Sequence, residues 1–321
     1  MKPYRYCWLI AFLYFSFTAF AQTAAPPAAE KPSTPDFSQE PFIVQSVKTT
    51  FRFQADGTAM RRSETRVLLQ SEAAVQKLGQ LAFNYNSDFE KLVITGRVVK
   101  ADGTKVEIPE SAIQDMSSQV SRVAPMYSDV RQKHVIVPSL RPGDTLEYEI
   151  EYDQFAAMAP NQFWNSYDFN TNYIVRDEEL RVDVPANKFV NVKFRNDYKP
   201  KITEEGGRKI YTWKTSHLQR EDTSPEALNK KRKKEQDQVA AVQVSTFKTW
   251  NDVGAWYLSL EKDRLEPSDA IRAKTAELIK GLNTDSEKLE ALYTYVAQTY
   301  RYVSLSFGIG RYQPHAANDI F

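Results

Sequence analysis

The stretch "IVQSVKTTFRFQADGTAMRRSETRVLLQ", Ile43 to Gln70, indicates a β-rich fold. It consists of two strand-like runs on either side of the pair Asp56-Gly57. An Asp-Gly pair between two such runs is a strong signal for a β-hairpin, because both residue types tolerate a positive backbone φ. The stretch therefore predicts two antiparallel strands joined by a tight turn.

The same turn chemistry recurs further along the chain. The segment "KLVITGRVVKADGTKVEIP", Lys91 to Pro109, places Asp102-Gly103 between two more strand-like runs. The shared "ADGT" is interpreted as turn chemistry, not as an internal repeat. One short helix is predicted at residues 71–81, and further strands at residues 146–152, 180–184, 190–194 and 210–214. Many strands with few helices predict an antiparallel β-sandwich of about 180 residues.

The hydrophobic periodicity becomes helical from about Thr246. Capping signals mark the starts of three helices, at Thr249 with Asp252, at Pro267-Ser268, and at Thr284 with Glu287. The apolar stripes of these helices, which include Trp250, Trp256, Leu292 and Val296, are interpreted as core positions. The sequence therefore predicts a helical unit after the β-rich part.

The first residues have the three parts of a secretory signal peptide. Lys2 and Arg5 form a basic start, an uncharged apolar run follows, and Ala19-Phe20-Ala21 supplies an A-x-A cleavage site before Gln22. The alternative is an uncleaved membrane anchor, but the run is short for the roughly 20 residues that span a bilayer. We expect a periplasmic or secreted protein with no membrane span after cleavage.

Composition narrows the possible functions. The 42 basic and 41 acidic residues give a formal net charge of +1, which does not indicate a nucleic-acid partner. Cys7 is the only cysteine and leaves with the signal peptide, so the mature chain has neither thiol nor disulfide. The predicted organisation is a signal peptide at 1–21, a disordered linker at 22–41, a β-sandwich at 42–225, a charged linker at 226–245 and a helical part at 246–321.

Catalytic motifs are scarce. The sequence contains no G-x-S-x-G elbow, no phosphate-binding glycine loop and no H-E-x-x-H. The histidines at positions 134, 217 and 315 are far apart, and none has metal-ligand spacing to another histidine or to the cysteine. We therefore expect neither a metal nor a cofactor.

The C-terminal third resembles a known family. The segments "STFKTWNDVGAWY" (Ser245–Tyr257) and "EKLEALYTYVAQTYRYVSLSFGIGRYQPHAANDIF" (Glu287–Phe321) look like the entry to a bacterial transglutaminase-like domain. In that family the domain follows a β-rich domain of unknown function, which "VIVPSLRPGDTLEYEIEY" (Val135–Tyr152) resembles. The resemblance implies an α+β fold class: the antiparallel β-sandwich, then the helical opening part of a transglutaminase-like, papain-like domain.

The resemblance also bears on catalysis. In such families a stretch like "YQPHAANDIF" is followed by a Gly-Asp-Cys segment whose cysteine is the nucleophile of a Cys–His–Asp arrangement. The sequence stops before that cysteine, so no residue is assigned as nucleophile, base or orienter, and no activity is expected from this chain. The resemblance leaves Tyr302, Tyr312, Gln313 and His315 as residues that could line the cleft of a complete protein.

Two functions remain open at this point. The first is an exported transglutaminase-like protein fragment, whose complete parent is a cysteine acyl transferase or peptidase. The second is a non-catalytic envelope module that uses the β-sandwich to bind or scaffold a protein or a glycan.

Overall fold

A computed structural model describes residues 36–118, 130–195, 198–219, 224–226, 229, 239–301 and 312–321. The strands are β1 (Phe42–Phe53), β2 (Ala59–Leu69), β3 (Gln80–Asn86), β4 (Glu90–Val99), β5 (Lys105–Glu107), β6 (Ile113–Ser117), β7 (Val130–Ile136), β8 (Thr145–Gln154), β9 (Trp164–Tyr167), β10 (Val175–Pro185), β11 (Asn191–Phe194), β12 (Lys201–Glu205), β13 (Arg208–His217) and β14 (Val242–Ser245). The helices are α1 (Glu72–Leu78), α2 (Trp250–Glu261), α3 (Asp269–Leu278), α4 (Asp285–Thr299) and the short α5 (Ala317–Ile320). The predicted signal peptide, most of the linker after it and most of the charged linker lie outside the described residues.

Both Asp-Gly hairpins form as predicted, and both use the same three-residue loop. The Gln54 N–H donates to the Thr58 carbonyl at 2.8 Å, and the Lys100 N–H donates to the Thr104 carbonyl at 2.7 Å. The two loop glycines have φ values of +96° and +87°. In each loop the aspartate carboxylate accepts the N–H two residues on, at 2.9 and 2.8 Å. The motif builds the same turn twice because all its interactions are local.

Eight strands form one large mixed sheet in the order β12-β13-β10-β1-β2-β8-β4-β5. Near its centre, β1 pairs antiparallel with β2 on one side and parallel with β10 on the other. The parallel register brings Phe51 opposite Val182. Two separate three-stranded sheets have the orders β3-β7-β6 and β11-β14-β9.

The predicted fold class is therefore wrong. The chain has a large mixed sheet with two small sheets, not an antiparallel sandwich. The helical opening part of a transglutaminase-like domain is not shown either, whereas a β-rich fold is. Sequence periodicity reveals that a segment is a strand but not which distant strand it pairs with, and the β1–β10 pairing joins segments far apart in the chain.

The apolar core contains two large clusters, one for each small sheet, and a small third cluster of Phe37, Ile43 and Ile174. The first joins the β1–β2–β8–β4 part of the large sheet to β3 and β7, and includes the fully buried Leu69, Leu146 and Val135. The second joins β1, β10 and β13 to β9 and β14, and includes Trp213 and Val242. Each small sheet therefore buries one face in a core cluster, and its other face is available for contacts outside that cluster.

The predicted helices begin where their capping signals place them. Thr249 and Thr284 each form a capping box with the acidic residue three positions on, and Ser268 caps α3. The interpretation of their apolar stripes as core is wrong for Trp250, which is 87% exposed, and for Val296, which is 55% exposed, whereas Trp256 and Leu292 are half-buried. Capping is local, whereas burial requires a partner surface, so only the first could be read from the sequence.

The predicted domain boundaries stay predictions. Val242–Ser245, at the end of the predicted charged linker, forms β14 and pairs with both β11 and β9. Among the described residues, no helix is both long enough and apolar enough to cross a membrane.

Candidate functional site

A cavity of about 540 Å³ lies between the outer face of the β11-β14-β9 sheet and helix α2. Its volume is in the range of small-molecule sites, which is about 300–1,000 Å³. Its lining combines aromatic rings, amides, hydroxyls and two lysines: Trp164, Asn165, Ser166, Asn191, Lys193, Gln243, Val244, Ser245, Phe247, Lys248, Thr249, Trp250, Val253, Trp256 and Tyr312. We refer to this space as the aromatic cavity.

The floor of the aromatic cavity is set by strand register. One cross-strand row contains Asn191, Ser245 and Trp164, and the next contains Lys193, Gln243 and Ser166. Side chains alternate between the two faces of a strand, and Val242 and Val244 of the central strand are buried in the core below. The intervening polar residues of β14 therefore face the cavity.

The wall of the aromatic cavity is a cluster of four rings. The Trp256 ring centroid lies 5.2 Å from that of Trp164, 5.8 Å from that of Phe247 and 5.1 Å from that of Tyr312. Trp164 also contacts Tyr312 edge-on at 5.7 Å. Tilted and edge-to-face pairs at these distances are favourable arrangements for aromatic rings, so the cluster holds α2 against β9.

Helix α2 presents one face to the cavity. Trp250, Val253 and Trp256 all line the cavity, and each is three residues from the next, so that neighbouring members of the row are adjacent on the helix surface. The Thr249–Asp252 capping box fixes the start of the helix, with the Thr249 N–H donating to Asp252 Oδ2 at 2.8 Å. Trp250 stands at the first helical position with its ring almost fully exposed beside the opening.

The end of β14 is tied to the loop before β9 by the buried Thr246. Its hydroxyl donates to Gln162 Oε1 at 2.5 Å and accepts the Phe163 N–H at 3.0 Å. A second cavity of about 450 Å³ lies on this side and shares Phe247, Lys248 and Trp256 with the first. The loop containing Gln162 therefore supports both cavities.

The four residues singled out from the sequence have different locations. Tyr302 lies outside the described residues. Tyr312 lines the aromatic cavity, whereas Gln313 and His315 are half-buried beside it in sequence and do not belong to its lining. Their assignment to the cleft of a larger protein stays a prediction.

Several lining residues were missed from the sequence. Trp164 and Phe247 were not singled out as site residues, and Trp250 and Trp256 were interpreted as core. The signal that could have found the floor is the alternation of β14, where Gln243 and Ser245 interleave with two valines. Across the described part of the chain, His, Cys, Asp and Glu side chains form no cluster of three or more that could hold a metal ion.

A buried acidic group lies on the core side of the same small sheet. The Tyr167 hydroxyl of β9 donates to Glu178 Oε1 at 2.7 Å, and the Asn170 N–H donates to Glu178 Oε2 at 3.0 Å. Burial raises the pKa of Glu178 above its ordinary value, although these two hydrogen bonds and the nearby His217 oppose the shift. Burial and the adjacent Glu178 also raise the pKa of Tyr167.

We expect the raised pKa of Glu178 to make stability depend on pH. A carboxyl with a higher pKa in the folded state stabilises the protein fully below the unfolded pKa of about 4.3, and this contribution is lost as pH rises through the folded pKa. Urea denaturation between pH 4 and pH 8 should show that the free energy of unfolding falls as pH rises. Glu178→Gln should remove this pH dependence, whereas the control Glu205→Gln, at an exposed position, should leave it unchanged. A Glu178→Gln profile parallel to that of the unsubstituted protein would contradict this prediction.

The sequence matches the model of a protein family over residues 55–221. The family is described as a domain of unknown function with solved structure, DUF3857. The chain belongs to the DUF3857 family. The matched residues run from the first Asp-Gly turn past the end of β13, so β9 and β11 of the cavity floor lie inside the family domain, whereas β14 and α2 follow it.

Solved structures show the same fold in a longer protein. A crystal structure named "putative protease" from Parabacteroides distasonis ATCC 8503 superposes with a TM-score of 0.69 at 17% sequence identity. The alignment covers 87% of the DUF3857 chain and 55% of the Parabacteroides chain, so the DUF3857 chain spans about half the length of that protein. At this identity the likeness shows the fold alone.

A weaker likeness involves the M1 zinc metallopeptidase from Deinococcus radiodurans. It has a TM-score of 0.32 and 12% identity, and covers 55% of the DUF3857 chain and 39% of the peptidase. This value is too low to carry an argument about fold or function. A search of curated proteins found no match.

Proposed function

We propose that this DUF3857 chain is part of an exported transglutaminase-like or peptidase-like protein. The sequence after Arg301 resembles the entry of the transglutaminase-like family. The Parabacteroides protein, which has the same fold over most of this chain, is named "putative protease" and is longer. Both observations favour a whole protein that acts on peptide or acyl bonds.

One observation connects the proposed function with the aromatic cavity. Tyr312, from the segment that resembles the transglutaminase-like family, packs on Trp164 of the DUF3857 domain and on Trp256 of α2. The family domain, the following helix and the family-like segment thus meet around one concave space. A shared cavity of this kind is the place where a substrate-binding surface is expected.

The test begins with the gene. Reading the DNA past the codon for Phe321 should reveal an open frame with a Gly-Asp-Cys segment within a few dozen codons. The protein encoded by that frame should transfer acyl groups or cleave peptides in a way that thiol alkylation abolishes, because a thiolate is the expected nucleophile. A stop codon directly after Phe321, or activity indifferent to alkylation, would contradict the proposal.

The 321-residue chain is the matched control for that experiment. Its only cysteine, Cys7, lies in the predicted signal peptide, so residues 22–321 supply no thiol nucleophile. It should give no turnover of glutamine-donor or peptide substrates, with or without alkylation. A rate near that of the longer product would show that the nucleophile lies within these residues and is not a cysteine.

The cavity itself favours a second function, in which the chain acts as a binding module. The aromatic cavity has an exposed tryptophan at its opening and polar side chains across its floor. Concave sites with aromatic walls and a few polar groups are typical of ligand binding. Under this proposal the chain holds a ligand whether or not catalysis takes place beside it.

Export of the chain to the periplasm or the medium is part of the proposal. It is supported by the basic start, the apolar run and the A-x-A site before Gln22. N-terminal sequencing of the protein from the envelope or medium fraction should begin at Gln22. Recovery of the intact N-terminus on a membrane-bound chain would favour the anchor instead.

A further inference from the structure

We propose that the aromatic cavity binds a carboxylated oligosaccharide. The inference rests on the proposed binding function and names the chemical class of the ligand. It is carried by three properties of the lining: unpaired polar side chains on the floor, exposed aromatic surface on the wall, and a charge of one sign.

The floor offers hydrogen-bonding groups that no protein group uses. Lys193, Gln243 and Ser166 stand side by side on three adjacent strands. Within the described structure none of these three side chains has a hydrogen bond or an ion pair, in contrast to Ser245, whose hydroxyl accepts the Phe247 N–H at 3.2 Å. An amide and a hydroxyl can each donate and accept, which matches the hydroxyl groups of a sugar.

The wall offers ring faces to a flat, partly apolar ligand. Trp250 is 87% exposed, although a tryptophan ring is among the most costly side chains to leave in water. It lines the same cavity as Trp256, whose ring belongs to the four-ring cluster. A pyranose ring has an apolar C–H face and a hydroxylated edge, so it can cover an aromatic ring and reach the polar floor together.

The charge of the lining selects an acidic ligand. Lys193 and Lys248 line the aromatic cavity, and among the residues that the structure describes no aspartate or glutamate does. Asp252, at the start of α2, is engaged by Thr249 in the capping box and lines the neighbouring cavity instead. Lys248 lies close enough to Asp252 for the two charges to interact, so Lys193 is the ammonium group that favours a ligand with carboxylates of its own.

The geometry favours a glycan over an extended peptide. Peptides that bind to sheets usually add a strand and use backbone hydrogen bonds at an edge. The central strand of this floor, β14, is paired on both sides, so it offers side chains and not backbone groups to the cavity. An acidic peptide is therefore a competing outcome of the test, not the expected ligand.

The test is calorimetric titration of the purified chain with defined oligomers at low and high salt. Two sources of a carboxylated sugar are represented by tetragalacturonate and by a disaccharide containing N-acetylmuramic acid. The sugar that binds more tightly identifies the source. Maltotetraose is the neutral control, and tetraglutamate is the peptide alternative. We expect a carboxylated sugar to bind at least about tenfold more tightly than either, with an affinity that falls as salt rises.

Two variants locate the binding. Trp250→Ala should weaken sugar binding about tenfold, because it removes an exposed ring, while Tyr293→Ala removes another largely exposed ring, on α4, and should have no effect. Lys193→Gln should weaken binding and reduce its salt dependence, whereas Lys201→Gln on β12 should change neither. Thermal unfolding checks that all four variants fold.

The outcomes distinguish a failure of the sugar assignment from a failure of the proposed binding function. If tetraglutamate binds as tightly as the sugars and Trp250→Ala weakens it, the cavity is a binding site but the sugar assignment is wrong. If the sugars bind equally well to Trp250→Ala and Lys193→Gln, the site lies elsewhere and the inference fails. If none of the oligomers binds at millimolar concentration, the inference is wrong and the binding function loses its support, while the proposal about the gene product is untouched.

Discussion

Replacing Arg208 by methionine should lower the free energy of unfolding by about 3–5 kcal/mol, the range for removing one partner of a buried ion pair. The Arg208 guanidinium donates to Asp183 Oδ1 at 2.6 Å, to the Asp183 carbonyl at 3.0 Å and to the Phe53 carbonyl at 2.7 Å. Asp183 is 7% exposed, so the substitution leaves a carboxylate desolvated. Arg52, at 3.9 Å and half exposed, is too distant to replace these bonds.

Equilibrium urea denaturation measures this effect, and the next ion pair along β13 supplies the control. Lys214 is 3.0 Å from Glu179 and largely exposed, so Lys214→Met should leave the denaturation midpoint unchanged within error. The double variant Arg208→Met with Asp183→Leu should recover part of the loss, because the charge that then loses its partner, Arg52, is half exposed to water and no buried charge is left unpaired. Equal midpoints for Arg208→Met and Lys214→Met would show that Asp183 finds another partner.

Gly57→Ala should destabilise the protein by about 3 kcal/mol or more, through backbone strain and a steric clash together. Gly57 has a φ of +96°, and a Cβ there would lie 2.5 Å from the Gln162 carbonyl oxygen. The equivalent glycine of the second hairpin, Gly103, has a φ of +87° but no heavy atom within 4 Å of such a Cβ. Gly103→Ala therefore carries the strain alone, and we expect a loss of about 1–2 kcal/mol.

The same pair of variants also tests how the aromatic cavity is supported. A displaced Gln162 loosens its hydrogen bond with Thr246, which ties the end of β14 to the loop before β9. At a temperature where both variants are folded, Gly57→Ala should bind the cavity ligand more weakly than Gly103→Ala does. Equal stability of the two variants in urea denaturation would mean that the loop moves away without cost, and the predicted clash would be wrong.

Much of the local structure could be predicted from the sequence. The two "ADGT" hairpins and the starts of α2, α3 and α4 formed where their motifs placed them. Each depends on hydrogen bonds between residues a few positions apart, such as the Asp56 carboxylate with the Thr58 N–H. Signals of this kind are complete within a short window of sequence, so the sequence by itself determined these elements.

The architecture and the cavity were decided only by the tertiary structure. The parallel pairing of β1 with β10, the assembly of β9, β11 and β14 into one sheet, and the contact of Tyr312 with Trp164 all join residues far apart in the chain. Trp250 and Val296 show the same limit, because an apolar stripe indicates a helix face but not whether anything covers it. Long-range pairing depends on which surfaces can be buried together once the loops are closed, and that information is not contained in any single segment.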